Sequence, residues 1–288
     1  MSYLIDHWSP DPFLAVVAVL VAWHELGLAR LARKSRPERT RQRRQRSLWF
    51  YAGLGVLLLT VCSSLDYWSS RYFFVHMIGH LLIMFAAPSL VVAGAPWQPL
   101  LAGLPAHLGR RFIRSAARGR VLAPVRVAAG RLLGPWGAVA FFNAVMIAWH
   151  VPALLDLAER NELVHIWLMH GSFFGAGVAF WAQFLPSPPL HRRLPLGSRL
   201  IALVASNLGM WVLAIAMSVF TQASWYPVYD HVPGVTLSPF ADQQIGAAIL
   251  WVCGDFWAAP MISILIRQLL ARSELKAREA VQAGAGVS

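Results

Sequence analysis

The chain has 288 residues, 57% of them hydrophobic and only 13% charged, with a mean hydropathy of +0.53. A soluble domain carries roughly 25% charged residues, so this composition excludes an ordinary soluble globular protein and argues for a membrane one. The formal net charge of +12 is compatible with nucleic acid, but the basic residues punctuate long apolar runs and read better as topology signals.

A bilayer core needs about 20 mostly apolar residues per helix. Seven segments qualify, at about 12–31, 48–65, 72–93, 134–150, 163–184, 199–222 and 243–266. An open sheet cannot satisfy its backbone in lipid, so the expected fold is all-α: one domain over residues 1–278, a bundle of seven transmembrane helices. Residues 279–288 are small and polar and are expected to be a disordered tail. The first ten residues contain Asp6 and no Lys or Arg, so the first apolar run reads as a retained anchor rather than a signal peptide. There is no convincing internal repeat.

Orientation follows from Lys and Arg. "RLARKSRPERTRQRRQR" (30–46), the stretch 110–131, Arg192, Arg193 and Arg199, and the C-terminal Arg267, Arg272, Lys276 and Arg278 fall on one side of a seven-span arrangement. Arg71 and Arg160 are the two basic residues on the other. This places the N-terminus outside and the C-terminus in the cytoplasm, with basic cytoplasmic loops at 32–47 and 105–133. The arginines are then partners of anionic lipid, each worth about 1 kcal/mol near the surface, and no nucleic acid is implied. "HLGRRFIRSAARGRVLAPVRVAAGRLLG" alternates basic and apolar residues and is expected to lie flat on the inner leaflet.

Cys62 and Cys253 sit in different apolar segments and form no CxxC, so no disulfide framework or thiolate metal motif is indicated. The histidines carry more. His76 and His80 open the third span, His150 closes the fourth, and His165 and His170 open the fifth. Five imidazoles thus lie within about two turns of one membrane face, where ionisable groups are expensive unless they function. His76 and His80, four apart, project from one helix face. Met84 continues that face, and Met146–His150 and His165–Met169 repeat the spacing. Imidazole with thioether suits copper, Cu(I) especially; the scarcity of acidic residues there disfavours Ca²⁺ or Mg²⁺. His165 and His170 are five apart, about 140° around an ideal helix, so both should not reach one centre. Pro88 should kink the third helix and free the carbonyl of Met84. Glu25 beside His24, and Asp255, are ionisable groups deep in spans that could form one buried network. No nucleophile–base–orienter constellation is present, so an enzyme is not expected.

"HMIGHLLIMFAAPSLVVAGAPW", "WHVPALLDLAERNELVHIWLMHGSFFGAGVAFW" and "DQQIGAAILWVCGD" together resemble the CtaG family of caa3-type cytochrome c oxidase assembly proteins, seven-span proteins of the bacterial cytoplasmic membrane. The likeness runs from the second span to the seventh. It implies a role in maturation of haem-copper oxidase, with copper as cargo, oxidase subunits as partners and an extracytoplasmic copper donor. Carried over by position, it implicates His76, His80, His150, His165 and His170, with Asp242 as an accessory candidate; Met84, Met146 and Met169 are accessory candidates by their spacing. The family pattern leads one to expect four-residue histidine spacing on the fifth helix, where this chain has five. A single-span copper chaperone shares the family name and is not similar to this chain.

The expected function is therefore a membrane assembly factor that binds copper through histidines near the outer face and passes it to a nascent oxidase subunit. The alternative is a membrane haem protein of the cytochrome b or ferric-reductase type. Such carriers stack two histidines about 13–14 residues apart on one helix; no span here has that spacing.

Overall fold

A computed structural model describes residues 7–8, 12–105, 107, 119, 123–190 and 194–285. Among them every extended element is helical. In chain order these are α1 (Pro12–Ala32), α2 (Pro37–Cys62), α3 (Ser64–Ser69), α4 (Phe73–Leu81), a first π-helix (Leu82–Ala86), α5 (Ala87–Gly94), α6 (Trp97–Gly103), α7 (Ala123–Leu132), α8 (Pro135–Trp149), α9 (Pro152–Glu159), a second π-helix (Val164–His170), α10 (Gly171–Phe184), α11 (Leu196–Ser218), a 3₁₀ turn (Pro227–Tyr229) and α12 (Pro239–Ala285).

Among the described residues, five helices are long and apolar enough to cross a membrane: 13–32, 37–62, 73–94, 196–218 and 239–275. A sixth is obtained if 126–132 and 135–149, bent by 83° at their junction, count as one span. That differs from the seven expected, and the reason lies in the histidine-bearing segments. The expected fourth span shrinks to the 15 residues of α8, because Pro135 starts that helix and Pro152 starts the next. The expected fifth is the second π-helix run into α10, where two imidazoles and three glycines dilute the apolar content.

Three other segments bear on the sequence reading. The basic segment 32–47 is mostly helix, since α2 begins at Pro37, where a proline costs no intrahelical bond. Helix continues through residues 279–285, where a disordered tail was expected, and 286–288 lie outside the described residues. The segments 126–132 and 135–149 meet at 83°, while most of 106–122, and the basic trio His191–Arg193, lie outside the described residues.

The core sits where α4, α5, α8 and α10 meet, with α2 behind α5 and α12 behind α4. Phe142 stacks on Phe180 at 4.1 Å and meets Phe85 edge-on at 5.3 Å, tying α8, α10 and the first π-helix together. Proline lacks the N–H that would return to the carbonyl four residues earlier, and Pro88 is preceded by that π-helix, so the expected break is absorbed as a wider turn rather than as an open kink. The freed Met84 carbonyl faces Gly177 of α10: a Cβ there would lie 2.4 Å from that oxygen and 2.7 Å from Pro88 Cγ. Two helix backbones can come this close only because position 177 has no side chain.

Gly177→Val should therefore cost about 1–3 kcal/mol by overpacking, read as a lower melting temperature in detergent. Gly175→Ala, which meets nothing within 4 Å, should leave it unchanged or slightly higher. Equal melting of the two variants contradicts the packing account.

Candidate metal centre

Helix α4 carries His76 and His80 one turn apart, both buried, with ring centroids 4.1 Å from each other. The helix has no local side-chain cap at its start, Tyr72. Its first amides are satisfied from another helix: Phe73 N–H and Phe74 N–H donate to the Asp242 carboxylate at 2.7 and 2.8 Å. A carboxylate at a helix N-terminus also complements the helix dipole. The next two residues finish the neighbouring helix end. The Gln243 side-chain amide donates to Met217 O at 2.8 Å and accepts from Trp225 N–H at 2.6 Å, while Gln244 donates to Ser218 O at 2.9 Å. The Asp-Gln-Gln opening of α12 thus fixes α4, α11 and the loop between α11 and α12. Asp242, expected as an accessory ligand, spends both oxygens on this support.

His150 follows the last residue of α8. Its Nδ1 lies 2.6 Å from Met146 O. A carbonyl only accepts, so Nδ1 carries the proton and Nε2 keeps its lone pair. The His150 carbonyl accepts from the Tyr226 hydroxyl at 3.0 Å, and the Tyr229 hydroxyl donates to Ser69 O at 3.1 Å. Burial pushes both phenols above their ordinary pKa, so they stay neutral donors and hold the α11–α12 loop against the cluster.

His165 and His170 overturn the expectation that residues five apart diverge. Val164–His170 is a π-helix, whose i→i+5 pattern brings residues five apart over one another. Their Nε2 atoms are 3.1 Å apart and their ring centroids 4.5 Å. His165 also lies 5.4 Å from His76, and His80 lies 6.0 Å from His150 and 6.2 Å from His170, centroid to centroid. All five expected imidazoles therefore converge.

One member was not foreseen. Glu159 ends α9, with its side chain only 5% exposed. Its Oε1 lies 3.3 Å from His76 Nδ1 and 3.0 Å from His165 Nδ1, without hydrogen-bond geometry to either. Ligand atoms of His76, Glu159 and His165 all lie within 4.8 Å of one another, a spacing compatible with one metal ion. The sequence did hold a signal: Leu155, Ala158 and Glu159 share the i, i+3, i+4 spacing of one buried helix face. A glutamate on that face is marked.

The donor set fits a metal in a second respect. His76 Nε2, both nitrogens of His80, His150 Nε2 and His170 Nδ1 are buried and have no hydrogen-bond partner. Buried polar atoms are normally satisfied. The accessory candidates Met84, Met146 and Met169 are buried in the hydrophobic core, and the methyl of Met146 lies 3.9 Å from where a Cβ on Gly209 of α11 would stand. His231 is exposed, and His7 stacks on Tyr67 at 3.7 Å.

The deeper ionisable residues form two networks instead of one. The Tyr51 hydroxyl bridges Glu25 and His24 Nδ1 between α1 and α2. Asp255 accepts from Asn207 at 2.9 Å and Trp211 at 3.1 Å between α11 and α12. Each pairing is local and incomplete: His24 Nε2 in the first and Asn207 Oδ1 in the second are buried without a hydrogen-bond partner.

Among the described residues, several membrane-length apolar helices mark a membrane protein, and a buried histidine–carboxylate cluster lies among them. Comparison with known families makes this specific. Residues 22–272 match the family of cytochrome c oxidase caa3 assembly factors (Caa3_CtaG), and the chain belongs to that family. No match was found among curated proteins or among solved structures.

Replacing Asp242 by Ala should cost about 0.5–2 kcal/mol through the lost cap, and Asp242→Asn, which keeps an acceptor, should cost less. Chemical unfolding in detergent measures both; an Ala variant as stable as wild type contradicts the capping role.

Proposed function

We propose that this assembly factor binds copper through His76, His80, His150, His165 and His170 and hands it to a nascent oxidase subunit. In this reading the chain crosses the bacterial cytoplasmic membrane seven times, with α8 and the π-helix–α10 run as the short spans. The N-terminus is outside, as the one-sided distribution of arginine requires. The cluster then lies near the outer face, where an extracytoplasmic donor can load it. Anionic lipids hold the basic inner face.

The observation that carries the proposal is the convergence of five imidazoles, four of which (His76, His80, His150 and His170) keep at least one buried nitrogen without a hydrogen-bond partner. Imidazole is a good copper ligand, bound through a ring nitrogen lone pair. The mixture of ring separations favours a site that exchanges ligands over a closed cage, as release to a client demands. An apolar cleft of about 340 Å³, lined by residues such as Phe13, Leu20, Phe50, Leu54 and Phe174, runs to His170. It offers an apolar segment of the client an approach to the cluster. The role is that of a carrier, not a catalyst.

Metal analysis of detergent-purified protein tests this. Wild type loaded with copper and desalted should retain it, and a His76→Ala/His80→Ala double variant should lose most of it. Equal copper in both removes the ligand assignment.

A further inference from the structure

We infer that Glu159 is itself a metal ligand, so that His76, Glu159 and His165 form a station for a divalent cation within the imidazole cluster. The inference rests on the proposed copper role only for which ion the station carries in the cell.

A buried carboxylate needs compensation, because taking a charge out of water costs several kcal/mol. Among the described residues its ionic contacts are two imidazoles, both presenting Nδ1 to the same oxygen and neither aligned to donate a hydrogen bond. Three donors facing a common point, unsatisfied by one another, are satisfied together by a cation between them. Two ligands at about 2.0–2.2 Å from one ion stand at most about 4.4 Å apart. The observed spread of 4.8 Å or less therefore needs only a small side-chain shift to close.

The donor chemistry sets the charge of the ion. A carboxylate oxygen with two imidazoles suits a divalent first-row cation such as Cu(II), whereas Cu(I) is drawn to thiolate and thioether sulfur. The three methionines expected to supply that sulfur are packed in the core. His80, His150 and His170 remain as an all-imidazole group beside the station, joined to it by the 3.1 Å contact between His165 and His170.

The test titrates Cu(II) and Cu(I) separately, each against a competing chelator, into full-length protein in detergent. The variants are Glu159→Gln, Glu159→Asp and, as a control three residues on, the exposed Glu162→Gln. Glu159→Gln should weaken Cu(II) at least about tenfold and change its electron paramagnetic resonance spectrum. Cu(I) affinity should stay within about threefold. Glu159→Asp, which keeps a carboxylate and guards against a folding artefact, should recover part of the Cu(II) affinity, and Glu162→Gln should match wild type. Unchanged Cu(II) affinity and spectrum in Glu159→Gln overturn the inference. Wild type that binds Cu(I) alone also overturns it while leaving the copper role intact. Glu159-dependent Cu(II) binding by a protein whose loss leaves oxidase copper content normal sustains the inference and removes the copper-delivery role.

Discussion

Imidazole nitrogens sealed from water, with no protein group to bond, are the constraint around which this molecule is arranged. His80 has both nitrogens in that state, and His76, His150 and His170 each have one. Every such atom works against folding by the desolvation cost of a polar group. A chain this apolar could have filled the same space with leucine. Instead the surrounding structure holds the rings in place: a remote carboxylate fixes the start of α4, a carbonyl orients His150, and two neutral phenols anchor the loop beside it. The stability lost at the rings is offset by the packed core beneath them, where the stacked Phe142 and Phe180 and the close approach at Gly177 lock α4, α8 and α10 together.

The two π-helices serve the same end by different means. The first accommodates Pro88 and lets α10 come against the Met84 carbonyl. The second changes the angular step along the chain so that His165 and His170 face one centre. A wider turn has poorer backbone geometry and persists only where surrounding contacts select it. Here it brings an imidazole pair together that an ideal helix would split.

Much of this was legible in the sequence. Apolar runs announce the helices, and the five histidines at one depth announce the cluster, because period and polarity are local properties. What failed to show was tertiary. A five-residue histidine spacing reads as divergent until the backbone is known to be π-helical. Asp242 reads as an accessory candidate, and nothing local says that its oxygens receive the amides of Phe73 and Phe74. Glu159 lies on a short helix whose buried face is visible in its spacing, but nothing local says that two imidazoles wait there. Glu25 and Asp255, similar in depth, turn out to belong to different helix pairs. The span count departs from expectation at the same histidine-bearing segments, where polar rings, prolines and glycines interrupt the apolar signal.

The central claim is that histidines from separate helices hold one cargo ion through nitrogen. X-ray absorption of the copper-loaded, full-length protein reads the ligand atoms directly. The account predicts a shell of nitrogen and oxygen with the outer scattering of several imidazole rings. A shell dominated by sulfur, or a protein that retains no copper to measure, contradicts it.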